Sequence, residues 1–381
     1  MTTALINGRV LTDRGVVERH TVLIENGRIK AITAPEDAPK DAAVHDLEGG
    51  LLLPGFIDTQ VNGGGGVLFG DTPTVNALVQ IAAAHARFGT TGFLPTLISG
   101  DFALIRAAIA AVGAAIETDV PGVLGIHIEG PFLNVSRKGI HDASNFRPLD
   151  AEAFALLTSV KRGKTMVTLA PEQTTPDVIA ALTKAGVIVS AGHTDGTYAQ
   201  IRTALAHGLA GFTHLFNAMS PLRAREPGAV GAALEDAESY CGIIVDGKHV
   251  DPATLRIALR CKRADRLMLV TDAMPSVGAT NKRFALQGRM ITVKDGVCVA
   301  PDGTLAGSDL DMASAVRNAM EMLGLDLKTA VEMAVRNPAA FLGLSGELGA
   351  ISIGLRASLV CVDDAMVVRE TWVDGRQVYP A

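Results

Sequence analysis

The chain has 381 residues, 48% of them hydrophobic and 19% charged, with 40 glycines, four scattered cysteines and a formal net charge of −6. That length and apolar content suit a large α/β core and exclude a fibrous or disordered chain. The acidic balance without an extended basic block argues against nucleic acid as a partner, while leaving local arginines free to bind a small anion.

The amino terminus, Met1-Thr2-Thr3-Ala4-Leu5-Ile6-Asn7-Gly8, lacks the basic region and uninterrupted apolar core of a signal peptide, and no later run approaches membrane-spanning length. No membrane is expected as a partner, and with Cys241, Cys261, Cys298 and Cys361 lacking any CxxC spacing, a reducing cytoplasm fits. Residues 1 to about 50 read as strands, Ala4 to Thr12, Val17 to Glu25 and Arg28 to Ile32, punctuated by Asn7-Gly8 and Asn26-Gly27. The tail is similar, with Ser358 to Val362, Met366 to Trp372 and a turn at Asp374-Gly375 before Gln377-Val378-Tyr379. Neither end could bury a core alone, so residues 1–52 and 344–381 are expected to share one small β-sandwich.

Between them, in residues 53–343, apolar β-type runs alternate with amphipathic helices. Eight strands are expected: Leu51 to Ile57, Thr91 to Leu97, Val123 to Glu129, Met166 to Ala170, Val187 to Ala191, Gly211 to Leu215, Cys241 to Asp246 and Leu267 to Asp272. Helices at Val75 to Phe88, Phe102 to Ile116, Pro176 to Ala185 and Tyr198 to His207 supply crossovers, and Asp251-Pro252 opens another. The fold class is therefore α/β, a deformed (β/α)8 TIM-type barrel with a small β-sandwich formed by both termini. A β-hairpin insertion near 284–306 interrupts the pattern after the eighth strand, and helices Met312 to Leu323 and Leu327 to Arg336 complete it. The Gly63-Gly64-Gly65-Gly66 run reads either as a mobile rim or as a tight turn.

Polar residues interrupt the apolar strands at their C-terminal ends: Asp58 and Gln60, Glu129, His193, His214, Asp246 and His249, and Asp272. In such a barrel that face carries the active site. Glu129, His193 and His214 offer one carboxylate and two imidazoles, a first shell for a catalytic divalent metal with a position left open. Asp272 suits the base that such a site needs, with a helix cap as the lesser alternative for an aspartate there. His127, two residues before Glu129 on the same strand face, could orient that carboxylate or simply pack. His20 and His45 fall in the terminal β unit and His85 and His207 in outer helices, where packing accounts for them.

In order and together, several stretches resemble the amidohydrolase superfamily and, within it, the N-acetylglucosamine-6-phosphate deacetylases. They are Pro54-Gly55-Phe56-Ile57-Asp58-Thr59-Gln60-Val61-Asn62-Gly63, His127-Ile128-Glu129-Gly130-Pro131-Phe132, Ala191-Gly192-His193-Thr194 and Thr213-His214-Leu215-Phe216-Asn217-Ala218-Met219. Arg225-Glu226-Pro227-Gly228, Asp246-Gly247-Lys248-His249-Val250, Thr271-Asp272-Ala273 and Leu305-Ala306-Gly307-Ser308 continue the match. The resemblance implies hydrolysis of the acetamide of N-acetyl-D-glucosamine 6-phosphate to glucosamine 6-phosphate and acetate, in amino-sugar catabolism and cell-wall sugar recycling. It implies that Glu129, His193 and His214 hold one divalent metal, expected to be Zn2+, and that Asp272 acts as general base and then acid. His141, from sequence alone a loop histidine, would help polarise the acetyl carbonyl. Backbone at Asn217 and Ala218, with Arg225 and His249, would bind the sugar phosphate, part of that grip crossing the interface of a homodimer.

The sequence departs from the family at two places. Many relatives carry a His-x-His or His-x-Asn pair after the first strand, supporting a second metal; here the positions are Gln60 and Asn62. Glutamine is a poor ligand for a borderline metal, so one metal per chain is expected, with Gln60 bonding the attacking water or shaping its pocket. Lys248 stands where an apolar residue is expected, and either adds a cation near the phosphate or extends into solvent. The alternatives are another amidohydrolase acting on an unphosphorylated amide, or a non-catalytic sugar-phosphate-binding regulator; the latter needs no metal, water and base together.

Overall fold

In the computed structural model, which describes residues 2–380, eight parallel strands follow one another in sequence order around one sheet. They are Phe56–Val61, Thr90–Ile98, Gly125–Glu129, Lys164–Leu169, Ile188–Ala191, Gly211–Phe212, Tyr240–Ile243 and Leu267–Leu269. The first and eighth meet at a bridge between Val61 and Ala273, and Thr271 Oγ1 donates to Asp58 Oδ2 at 2.5 Å across the same seam. The barrel is thereby closed. Met1, where the amino-terminal reading began, lies outside the described residues.

Parallel neighbours cannot be joined by tight turns, and helices carry the connections. Thr74, Asp101, Thr175, Thr197 and Asp251 each cap one by accepting a backbone N–H of its first turn. Two crossover helices, Ala151–Leu157 and Gly228–Glu235, carry no amphipathic signal. The first is under two turns long, and every residue of the second except Glu235 is buried, so no polar face marks it. The helix expected to run to Arg336 ends at Ala334, and a second, Arg336–Phe341, follows. Pro338 lacks the N–H that would bond the carbonyl of Ala334, which makes a continuous helix unfavourable.

The run expected as one strand from Leu51 to Ile57 is two. Leu51–Pro54 joins the terminal sheet and Phe56–Val61 opens the barrel. Gly55 makes the change of direction possible: a Cβ there would lie 2.2 Å from Thr91 Oγ1, so only glycine passes this close to the second barrel strand. The strands of both termini form a single mixed eight-stranded sheet in which Leu51–Pro54 pairs with Thr2–Thr12 on one side and Leu359–Val362 on the other. Residues from both termini, among them Leu5, Ile24, Leu52, Leu359 and Trp372, share one core. An antiparallel bridge between Arg28 and Arg356 joins the two termini again.

The expected hairpin insertion is larger, an antiparallel sheet of Arg283–Leu286, Arg289–Lys294, Val297–Val299 and Leu305–Ser308, with its own small core around Met274, Ile291 and Cys298. The glycine run is a tight turn. Gly63–Gly64 pairs with Val67–Leu68, Gly65 and Gly66 have φ of +62° and +89°, and the buried His85 ring bonds Gly63 O at 2.9 Å.

Candidate active site

The residues singled out at strand ends converge. Glu129 ends the third strand, and His193 and His214 lie two residues beyond the fifth and sixth. Both histidines adopt left-handed backbone, with φ of +49° and +35°, as does Asp272 at +54°. These residues lie just past their strands, and all three line the same cleft. Left-handed backbone costs about 1–3 kcal/mol per residue and persists only where the surroundings over-determine it. It also explains why the sixth strand stops at Phe212, short of the expected Leu215.

Glu129 Oε1 lies 3.0 Å from His214 Nε2 and 3.3 Å from His193 Nε2, and the two Nε2 atoms are 3.1 Å apart. A tetrahedral ion with bonds of about 2.0–2.1 Å would see its ligands separated by roughly 3.3 Å, so the spacing fits. His193 Nδ1 is held 2.8 Å from the carbonyl oxygen of Arg137, which fixes the tautomer and leaves Nε2 with its lone pair for a metal. His214 Nδ1 is buried without a partner among the described residues. Burial would raise the Glu129 carboxyl, but the hydrogen bonds and charge of the two imidazoles outweigh it and hold the group well below the usual carboxylate range. These three residues are the one group of potential ligands found among the described residues.

Asp272 stands beside them. The Gln60 amide bridges the two carboxylates, donating to Glu129 Oε1 at 3.1 Å and to Asp272 Oδ1 at 3.2 Å. Asn62 Nδ2 adds a 2.6 Å bond to the same Oδ1. Oδ2 has no hydrogen-bond partner among the described residues. Burial and then the negative charge of Glu129 push the Asp272 carboxyl up to about 7. The helix-cap reading of Asp272 is set aside, since no helix starts there. Gln60 is buried under the ligands and does not line the cleft, whereas Asn62 does.

The cleft above has a volume of ≈ 340 Å³ and is lined on one side by the triad, Asp272, His141 and Ile98. Asn217, Ala218 and His249 form another side, with Thr304, Leu305, Ala306 and Gly307 of the inserted sheet. His141 is not solvated: it is 2% exposed, its ring centroid lies 4.4 Å from that of His193, and Nδ1 is 2.8 Å from Ser99 Oγ. Burial, reinforced by the neighbouring His193, lowers it to about 3, so it stays neutral. Ser99 went unnoticed in the sequence, although it follows the second strand as Asp272 follows the eighth.

His249 Nδ1 bonds Asp246 Oδ2 at 2.6 Å, leaving Nε2 toward the cleft. The Asn217 N–H donates to His214 O at 3.0 Å, so of the two backbone groups expected to bind phosphate only the Ala218 N–H lacks a backbone acceptor. Arg225 lies on an exposed stretch outside the cleft of its own chain, and the Glu226 carboxylate beside it accepts the N–H groups of Tyr198 and Gly228 instead. Lys248 is also exposed and outside the cleft.

His127 makes no hydrogen bond to Glu129 among the described residues. Its Nδ1 is 3.1 Å from Thr96 Oγ1 and its Nε2 2.7 Å from Thr168 Oγ1, in a chain of hydroxyls that continues to Thr213 and Ser190. Burial lowers it to about 4, so it is a neutral member of a polar layer inside the barrel. Below the site, Asp58 Oδ1 also accepts the N–H groups of Gln60 and Thr271, at 3.1 and 3.3 Å. Burial raises that carboxyl to about 7.

Residues 51–378 match the Amidohydrolase family and residues 3–52 the NagA composite domain. The chain is 42% identical over 376 residues to an N-acetylgalactosamine-6-phosphate deacetylase of Shewanella sp. (strain ANA-3), covering 98% of this chain and 95% of that one. It is 35% identical to an N-acetylglucosamine-6-phosphate deacetylase of Haemophilus influenzae, with 98% of each chain covered. The crystal structure of N-acetylglucosamine-6-phosphate deacetylase from Pasteurella multocida superposes with a TM-score of 0.95 at 34% identity, covering 99% of both chains.

Proposed function

Because the chain belongs to the amidohydrolase family, we propose that it hydrolyses the acetamide of N-acetyl-D-glucosamine 6-phosphate, releasing acetate and D-glucosamine 6-phosphate. The observation that carries this reading is the meeting of three buried metal-type donors with an aspartate that has one unpaired carboxylate oxygen, in one cleft.

Glu129, His193 and His214 would hold one divalent ion, and the donor set of one carboxylate and two imidazoles favours zinc. Such an ion, when bound, lowers the pKa of water and polarises a carbonyl. Asp272 accepts the proton of the attacking water on Oδ2 and returns it to the departing nitrogen, while Gln60 and Asn62 keep Oδ1 fixed. The Ser99 hydroxyl, 2.8 Å from Nδ1 and 3.4 Å from Glu129 O, is closer to the ring; in the tautomer where it donates to Nδ1, the neutral His141 ring presents Nε2–H to the carbonyl oxygen as negative charge develops. Gln60 and Asn62 are neutral amides already engaged with carboxylates, which supports one metal per chain. Ala218 N–H and His249 are the phosphate contacts available within one chain, and Arg225 would reach the phosphate of a second copy in a homodimer. Arginine suits that task through its planar donor fork. No helix among the described residues is long and apolar enough to cross a membrane. The four cysteines are free, which supports action in a reducing cytoplasm, in amino-sugar catabolism.

The relative from Shewanella favours a second reading, in which the 4-epimer, N-acetyl-D-galactosamine 6-phosphate, is the better substrate. Acetate release should be measured from both epimers and from unphosphorylated N-acetylglucosamine, before and after chelation and with zinc returned. The proposal expects chelator-sensitive release from the glucosamine phosphate that zinc restores. Faster turnover of the galactosamine epimer selects the second reading, and equal rates on phosphorylated and free sugars would sink the phosphate assignment.

A further inference from the structure

We infer that Glu172 is a positioning residue for the metal site: it braces the turn that carries His193 and thereby sets the affinity for the ion. Glu172 sits in the short turn Pro171–Gln173 after the fourth barrel strand and does not line the cleft. Its carboxylate receives three hydrogen bonds. Oε1 accepts the Asp195 N–H at 2.7 Å and Asn134 Nδ2 at 2.9 Å, and Oε2 accepts Thr194 Oγ1 at 2.5 Å.

These donors are the two residues that follow His193 and the residue that opens the loop over it. That loop is tied to His193 at two further points. Asn134 N–H donates to the His193 carbonyl at 3.0 Å, and the Arg137 carbonyl fixes His193 Nδ1 at 2.8 Å. Arg137 Nε closes the circuit on Asp195 Oδ1 at 2.8 Å. His193 is a non-glycine residue at φ +49°, a conformation that lasts only while its neighbours hold it. From outside both segments, Glu172 grips the residues after His193 and the loop before His141, which the Arg137–Asp195 pair also joins directly. The bonds to its carboxylate are charge-assisted, and bonds of this kind are roughly twice as strong as neutral ones.

The inference rests on the reading of Glu129, His193 and His214 as metal ligands, and is independent of the substrate. The holoenzyme and the variants Glu172→Ala and Glu172→Gln are stripped, and the Zn2+ dissociation constant is measured by competition with a chromogenic chelator, with the thermal midpoint of the metal-free proteins as a check on folding. Loss of a partner that orients a ligand weakens metal binding by roughly 10–100-fold, and this is expected for Glu172→Ala. Glu172→Gln keeps an acceptor for the Asp195 and Asn134 donors and should restore most of the affinity. A folded Glu172→Ala protein that binds zinc as tightly as the wild type overturns the brace. If Glu172→Ala does not fold, Thr194→Val decides by the same readout: weaker zinc binding supports the brace and unchanged binding overturns it. A wild-type protein that binds no zinc defeats the reading of the ligands instead, so the two failures are distinguishable.

Discussion

In the proposed reaction Asp272 is the carboxylate that transfers the proton, and its surroundings suit that role. Two amides hold one oxygen, the other is left open, and burial next to Glu129 raises the group to about 7. Asp272→Asn keeps the shape and removes the basicity, so turnover should fall by roughly 10²–10⁴-fold with zinc still bound; steady-state kinetics beside elemental analysis check this, and near-normal rates would defeat the assignment. His141 depends on Ser99 in the same way. Ser99→Ala removes one hydrogen bond worth roughly 1–1.5 kcal/mol and should lower kcat by about five- to tenfold with a much smaller change in KM. At this scale the sequence announced residue types at the tails of apolar runs, so Glu129, His193, His214 and Asp272 could be singled out from it. It could not announce Ser99, Asn134 or Glu172, because their roles lie in bonds to residues 42, 38 and 22 positions away.

Among the elements, the strand ends do most to build the site. Each barrel strand was legible as an apolar run, but its end was not, because a left-handed residue at His193, His214 or Asp272 is imposed by tertiary contacts and not by local propensity. The buried helix Gly228–Glu235 escaped notice for the complementary reason that a fully covered helix has no period to read. The seam between the first and eighth strands carries a pH dependence. Burial raises the Asp58 carboxyl from 3.8 to about 7, so the folded chain binds a proton that the unfolded chain releases. The stability this lends is present below pH 4, falls as the pH rises through about 7, and is absent above it. Asp58→Asn mimics the protonated form, and the thermal midpoint of the metal-free variant should fall less between pH 4 and 7 than that of the wild type. Parallel curves would show that Asp58 is not the group concerned.

For the molecule as a whole, the exposed Arg225 is the residue whose work one chain cannot explain. If it serves a second copy, Arg225→Ala and Asp272→Asn proteins, each inactive alone on the phosphorylated sugar, should recover activity when unfolded and refolded together. Random pairing in a two-fold dimer would restore roughly a quarter of the wild-type rate; no recovery, with mixed dimers demonstrated, would place the arginine's role within its own chain. The sequence by itself determined the alternation of strands and helices, the partnership of the two termini and the residue types at the candidate site, because hydrophobic periodicity and residue type are local properties. Only the tertiary structure decided that Glu129, His193 and His214 lie within 3.0–3.3 Å of one another. It also decided that His141 is buried against His193, that His127 belongs to the barrel's polar layer, and which oxygen of Asp272 is free. Those facts depend on strand register and on strained turns held by distant partners, and neither is written in any one stretch of the chain.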